Sequence, residues 1–223
     1  MSRESSLKKK DMILASARKL FYEQGYDNTF LEHIAKDCGI SKQLLLYYFP
    51  SKAKLADEVL GKVAEEVKEL AQKKMFDYFG GMKDLQVCTA VELKLASLLY
   101  LHDEKAMRFQ KETAFLALES SASSTDMMSF YDMHVREYDL KLDEGKDELK
   151  MIADIFDVAD AILLYHYSCG KYDCTEEQFL DYTIEVLYRL MKVPPERIEA
   201  VNRMSNAILG LLNFRFLPCF VIE

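Results

Sequence analysis

No proline interrupts the sequence between Pro50 and Pro194, and 223 residues hold only four prolines and eight glycines, which excludes a fold made of many tight turns. No apolar run approaches the roughly 20 residues that cross a bilayer. The N-terminus, MSRESSLKKKD, leads into an amphipathic pattern and lacks the apolar stretch and small-residue cleavage site of a secretory leader. A cytoplasmic protein with no membrane partner is expected. The five cysteines (Cys38, Cys88, Cys169, Cys174, Cys219) are odd in number and scattered, which fits reduced thiols and not a disulfide framework. Cys169 and Cys174 lack the second ligand pair of a structural zinc site, and His33, His102, His134 and His166 stand apart, so no metal site and no cofactor is expected. G-x-S-x-G, the P-loop, G-x-G-x-x-G and H-E-x-x-H are all missing, which argues against an enzyme.

What is present is a half-apolar chain whose apolar residues recur at helical spacing. Ser5 or Ser6 is expected to cap a first helix that ends near Gln24, with Ile13, Ala17, Leu20 and Phe21 on one face and Gly25 as its stop. Thr29-Phe-Leu-Glu32 matches a capping box, in which hydroxyl and carboxylate each satisfy the other residue's amide, and predicts a short helix from Phe30 to about Cys38. Gly39 suits the left-handed end of that helix, and Ser41 caps another from Lys42 to about Phe49. Pro50-Ser51 opens a long helix from Lys52 to about Phe79, stopped by Gly80-Gly81. Further amphipathic segments are expected near 84–101, 104–118, 126–142, 148–168, 176–191 and 195–212, with breaks at Ser120 to Ser124, Gly145 and Gly170. Thr175-x-x-Gln178 is a second capping box, and Pro194-Pro195 fixes the chain for a helix start. The tail from Phe214 to Glu223 reads either as an extended segment packed on the body or as an apolar end sheltered by a partner subunit.

Charge divides the chain. Up to Leu55 there are ten lysines and arginines against six acids; beyond it there are 19 against 31, so a head of +4 sits on a body of −12 within a net −8. Such a head can hold a polyanion while the body repels it, which confines contact to one end. Within the head, the Thr29 to Phe49 unit of two short helices joined through Gly39 has the outline of a helix-turn-helix, whose second helix enters the major groove of DNA.

The runs I-L-A-S-A-R-K-L-F-Y-E-Q-G-Y-D-N-T (Ile13 to Thr29), I-A-K-D-C-G-I-S-K (Ile34 to Lys42) and Y-F-P-S-K (Tyr48 to Lys52) resemble the N-terminal signature of the TetR family of bacterial transcriptional regulators. The resemblance spans Ile13 to Leu60, about a fifth of the chain. It implies an all-α protein, with an N-terminal three-helix helix-turn-helix head (1–52) and a larger helical ligand-binding and dimerisation body (53–223). It also implies a homodimer that binds a double-stranded DNA operator and answers to a small-molecule effector.

On this reading, Thr29 caps the second helix and offers its hydroxyl and the first amides to a phosphate. Lys42, Gln43 and Leu44, at the start of the reading helix, reach base edges: lysine toward guanine, glutamine toward adenine, leucine toward a thymine methyl. Tyr47 and Tyr48 stand where the resemblance places aromatics against the DNA backbone, and Lys52 is expected to pair with a phosphate. Leu45 and Phe49 face the core. The sequence departs from the family pattern at Leu46, where a tyrosine is usual, at Leu44, where a small hydroxyl residue is common, and at Glu32, a position often basic. These departures support a second reading, a helical ligand-binding or interaction protein with a weakened or disabled head.

In the body, Phe109, Phe115, Met127, Phe130, Tyr131, His134, Tyr165 and His166 are candidates to line an effector pocket for an apolar or aromatic molecule, with the histidines as polar anchors. Asp154, Asp157 and Asp160 recur every three residues; a solvated acidic face is expected there, a cation-binding stripe being the sharper alternative. The segments near 148–168, 176–191 and 195–210 are the candidate dimer bundle. The chain reads as a homodimeric, ligand-responsive regulator of the repressor type.

Overall fold

The computed structural model describes residues 3–81, 84–118, 125–143 and 147–223, with the backbone alone for 3–5, 117, 118, 125–127, 129 and 130. Its described residues form α1 (Arg3–Gln24), α2 (Leu31–Asp37), α3 (Lys42–Tyr48), α4 (Lys52–Phe79), α5 (Leu85–Leu101), α6 (Glu104–Thr113), a 3-10 turn (Ala114–Leu118), α7 (Thr125–Glu137), α8 (Glu148–Ser168), α9 (Glu176–Leu190) and α10 (Pro195–Leu212). A two-residue antiparallel ribbon closes the chain, with Phe216 opposite Ile222 and Leu217 opposite Val221. The all-α expectation holds. The breaks expected at Ser120 to Ser124 and Gly145 lie outside the described residues, and among those described no helix is long and apolar enough to cross a membrane.

The head forms because three helices share one apolar centre. Ile13, Ala17 and Phe21 of α1, Ile34 and Ala35 of α2, Leu45 of α3, and Phe49 meet Leu55, Ala56 and Val59 of α4, all buried. Each large side chain here contributes about 1.5 to 3 kcal/mol. Gly39 takes φ 63°, and a Cβ there would meet nothing, so the turn requires backbone freedom and not space. Because α4 continues without a break, its later residues, Val63, Val67, Ala71 and Met75, pass into the core of the body. There α5 is the central helix, packed between α4, α9 and α10.

Three boundaries differ from the sequence reading. Helix α1 starts at Arg3 and needs no cap from Ser5 or Ser6; Ser6 instead directs its hydroxyl at the Tyr48 hydroxyl, 3.5 Å away. Residues 104–118 do not form one α-helix, because the Thr113 hydroxyl bonds back to the Phe109 carbonyl at 2.8 Å where the helix tightens into the 3-10 turn. Helix α7 ends at Glu137, short of Leu142: Asp139 turns left-handed at φ 48°, and Leu140 and Leu142 fold back onto the core. The capping box at Thr175 and Gln178 is present in full.

The tail settles between its two alternatives by packing on its own chain, against head and body together. Phe220 is 2% exposed and meets the rings of Tyr22 at 5.3 Å, Phe109 at 5.4 Å and Tyr100 at 6.5 Å. Arg18 of α1 donates to the carbonyls of Cys219 (3.0 Å) and Phe220 (2.8 Å) and pairs with Glu66 at 2.6 Å. Nearby, α6 grips the end of α1: Arg108 donates to the Tyr22 carbonyl at 2.9 Å, and the Glu112 carboxylate accepts from the Asp27 amide at 3.1 Å. Gly25 takes φ 86° at this junction, a conformation that L side chains rarely adopt, which is what requires glycine there.

Candidate functional site

Helix α3 is short and depends on its cap. The Ser41 hydroxyl accepts from the Leu44 amide at 3.1 Å, satisfying a donor the helix cannot. Leu45 and Phe49, four apart, are buried together, so Gln43, Leu46 and Tyr47 fall on the opposite side, with Tyr47 80% exposed. Lys42 is exposed beside them. Leu44 and Tyr48 are half-buried at the edges, and the Tyr48 ring stands edge-on to Tyr47 at 5.3 Å. An outward ridge of Lys42, Gln43, Leu46 and Tyr47 results, backed by a rigid core.

Three expected roles change. The capping box at Thr29 does not form: Phe30 occupies the cap position of α2 with no side-chain bond. Thr29 is fully buried, and its hydroxyl donates inward to the carbonyls of Gly25 (2.6 Å) and Leu20 (3.2 Å), so it ties α2 to the end of α1 and is turned away from any phosphate. Glu32, left without the box, is held by Lys42 at 2.6 Å, which keeps its carboxyl below the usual carboxylate range. This pair is exposed and screened by water, so Lys42 can exchange Glu32 for another anion. Lys52 donates to the Tyr26 carbonyl at 2.9 Å and lies 4.1 Å from the centre of the Tyr26 ring, bracing the α1–α2 turn where phosphate pairing was expected.

The effector candidates whose side chains are described do not all meet at one place. Phe109 is buried at the head–body junction, stacked on Phe21 at 5.2 Å. His134 is buried elsewhere, hydrogen-bonded to Thr89 at 3.2 Å and set among the rings of Tyr138 and Tyr188. Tyr165 and His166 are half-buried, His166 lying 3.3 Å from the Tyr172 hydroxyl, and Phe115 is largely exposed 6.1 Å from Tyr165. Tyr131 is buried on α7, while the side chains of Met127 and Phe130 lie outside the described residues.

The acidic stripe of α8 is not a solvated face. Steps of three residues fall 60° short of a full turn each time, so Asp154 is exposed while Asp157 and Asp160 rotate inward. Asp157 Oδ2 is shut off from water and has no hydrogen-bond partner. Burial, with Asp160 and Asp154 adding repulsion, pushes the Asp157 carboxyl up to about 7, and burial alone pushes Asp160 to about 6. Their field reaches Tyr131 of α7, and that of Asp160 reaches Tyr100 of α5, both of which burial drives above the ordinary tyrosine range. The three-residue spacing was visible in the sequence, but not which way α8 faces.

Residues 13–59 match the family described as bacterial regulatory proteins, tetR family. Over 64 residues the chain is 47% identical to the HTH-type transcriptional regulator RutR of Escherichia coli K12, covering 29% of this chain and 30% of RutR. Over 49 residues it is 45% identical to IcaR, the negative regulator of the biofilm operon icaADBC in Staphylococcus aureus Newman, covering 22% and 26%. An uncharacterised regulator of Bacillus subtilis, YuxN, is 47% identical over 47 residues, 21% of this chain and 16% of YuxN. The chain thus matches less than a third of the length of these curated relatives. Crystal structures of RolR resemble it over nearly the whole chain. The form without ligand has a TM-score of 0.59 at 15% identity, covering 93% of this chain and 98% of RolR; the resorcinol complex has 0.61 at 14%, covering 92% and 96%. At that identity the likeness is one of fold.

Proposed function

From its place in the TetR family of bacterial transcriptional regulators, carried by the head, we propose that this chain is a cytoplasmic, sequence-specific DNA-binding repressor. It works as a homodimer released from its operator by a small molecule. The division is a DNA-binding head of residues 1–52 and a ligand-binding, dimerising body of residues 53–223. The observation that carries the reading is the capped α3, which presents Lys42, Gln43, Leu46 and Tyr47 on one open ridge while Leu45 and Phe49 lock it to the core. Gln43 and Lys42 have donors for base edges, and Tyr47 and Tyr48 have hydroxyls at the rim for phosphates. Two such ridges, about 34 Å apart, engage successive turns of the major groove. Met151 and Ile155 on α8, Tyr182 on α9, and Met204 and Leu211 on α10 leave apolar surface exposed on the helices assigned to the dimer. An effector in the body acts by favouring a head spacing that the operator does not fit.

Fluorescence anisotropy with DNA from upstream of the chain's own gene, against shuffled DNA across a salt series, tests this. The expected result is a preference for the upstream DNA with log affinity falling linearly in log salt. Tyr47→Ala and Lys42→Gln should weaken binding while leaving the dimer intact in sedimentation. A flat salt response with no preference favours the second reading, a ligand-binding protein with a disabled head, for which Leu44, Leu46 and Glu32 are the specific observations.

A further inference from the structure

We propose that the tail hairpin is a strap that sets the angle of the head on the body, with Phe220 as its catch, seated between Tyr22 of α1, Tyr100 of α5 and Phe109 of α6. The proposal rests on the reading of residues 1–52 as a DNA-binding head and adds the element that fixes its orientation.

Helix α4 runs from head to body without a break, and a single helical connection leaves the head free to swing about it. The tail adds a further connection. On the body side the Phe216 ring lies 4.8 Å from that of His102, at the end of α5, and Lys74 of α4 sits 5.1 Å from the centre of the Phe214 ring. On the head side Arg18 of α1 donates to two adjacent tail carbonyls, those of Cys219 at 3.0 Å and Phe220 at 2.8 Å. Between these anchors the hairpin keeps its shape, because Arg215 and Glu223 exchange backbone hydrogen bonds at 2.8 and 2.9 Å. The Phe220 ring fills the gap between head and body and is buried there.

The catch is seated against the preference of its own backbone. Cys219 and Phe220 are both left-handed, at φ 65° and 60°, where a side chain crowds the neighbouring peptide groups. Two such residues in a row persist only where their surroundings hold them. Here the burial of the Phe220 ring and the charged donors of Arg18 do so, which gives the hairpin two arrangements: seated and strained, or released and relaxed. The walls of the seat come from three helices. The head wall is tied to the body wall, since the Tyr22 hydroxyl donates to Asp103, just ahead of α6, at 2.8 Å. Anything bound in the body that shifts α5 or α6 moves Tyr100 or Phe109 and loosens Phe220, and the head then gains freedom to turn.

The test uses the full-length protein on operator DNA whose two half-sites stand at the native spacing or are moved by one or two base pairs, about 3.4 Å and about 34° each. The parent protein should prefer the native spacing by about tenfold or more, because strapped heads cannot follow a displaced half-site. Phe220→Ala empties the seat, and Arg18→Met keeps the packing but removes the donors. Each should bind the native spacing about threefold or more weaker and discriminate between spacings by less than about threefold. Phe179→Ala removes a ring of the same 2% exposure from the body, where it stacks on Tyr167 at 4.2 Å, and should keep the parent's preference. Hydrogen exchange reads the strap without DNA: amides of residues 14–30 should exchange about tenfold or more faster in the two strap variants, and at the parent's rate in Phe179→Ala. If Phe220→Ala does not fold, Arg18→Met decides alone. A spacing preference that survives in the strap variants, unchanged exchange at 14–30, or the same relaxation in Phe179→Ala would overturn the strap and leave the regulator standing. Faster exchange in the strap variants of a protein whose parent form prefers no DNA keeps the strap and removes the DNA-binding reading.

Discussion

In the head, Thr29 buries a hydroxyl and gives it two carbonyls at the end of α1, Ser16 pairs with Asp37 at 2.7 Å, and Lys52 closes on the Tyr26 carbonyl. In the body, Asp157 turns an oxygen away from water toward nothing. Among the described residues, the buried side-chain atoms without a partner, Arg108 Nε, Asp157 Oδ2 and Asn202 Oδ1, all belong to the body. The difference matches what each region does in the proposed function. A reading head must present the same ridge to every operator, so its polar groups serve placement; the body carries no such ridge.

Lys94 is the strongest challenge to that contrast, because it is a fully buried charge in the body that is completely satisfied, by Asp181 (2.5 Å), Ser205 (2.9 Å) and Asn206 (2.7 Å). It pins α5 to α9 and α10 and is structural. Lys94→Ala, which leaves a cavity and strands its acceptors, should cost about 3 to 5 kcal/mol in urea unfolding. A much smaller loss would mean that the polar groups of the body contribute little to holding its helices, and the contrast would lose its structural half.

Thr29→Val carries the comparison into the head. Valine keeps the shape but removes the donor, leaving the Leu20 and Gly25 carbonyls unserved, and should destabilise the chain by about 1 to 2 kcal/mol. An Asn substitution that restored operator affinity without restoring stability would indicate a phosphate contact at this position instead. The sequence could not distinguish these roles. T-x-x-E is a local pattern, and it competes with the orphan carbonyls that end the preceding helix; whether the hydroxyl turns forward or back depends on where α1 lies. Ser41 and Ser51 had no such competitor and cap α3 and α4 as their positions indicate. The same limit explains the body. Spacing gave the helices and the buried pair Leu45 and Phe49, but aromatic content alone put Phe109 and His134 in one pocket when packing separates them. The orientation of α8, on which the burial of Asp157 depends, is decided by tertiary contacts with α7 and the 3-10 turn. The tail alternation fitted two environments equally until Phe220 found the ring of Tyr22.

The acids of α8 make a smaller effect that appears only with pH. Their carboxyls are raised in the folded protein, Asp157 to about 7 and Asp160 to about 6 from an ordinary 3.8, so the folded state binds more protons than the unfolded chain between about pH 4 and 7. Stability is therefore greatest below that window and falls as the pH climbs through it. Asp157→Asn should leave urea midpoints nearly unchanged at about pH 3, below the ordinary carboxyl value, and raise them progressively toward pH 8. A variant less stable at pH 8 would show that Asp157 has a partner and that the body is as fully paired as the head.

The smallest effect lies on the α3 ridge, where Glu32 stands beside Lys42, the lysine proposed to reach the operator. Glu32 and Lys42 are both exposed, so Glu32→Gln removes a screened ion pair and should leave the melting temperature unchanged. On DNA it should act differently. In the free protein Lys42 is partly neutralised by Glu32, and the operator must displace that carboxylate before the ammonium can reach a base or phosphate. Removing it should tighten operator binding a few-fold and steepen the dependence of log affinity on log salt by up to about one unit, one further cation being free to displace counterions. If affinity and slope both stay as they were, Lys42 does not meet DNA, and the ridge reads its operator through Gln43, Leu46 and Tyr47 alone.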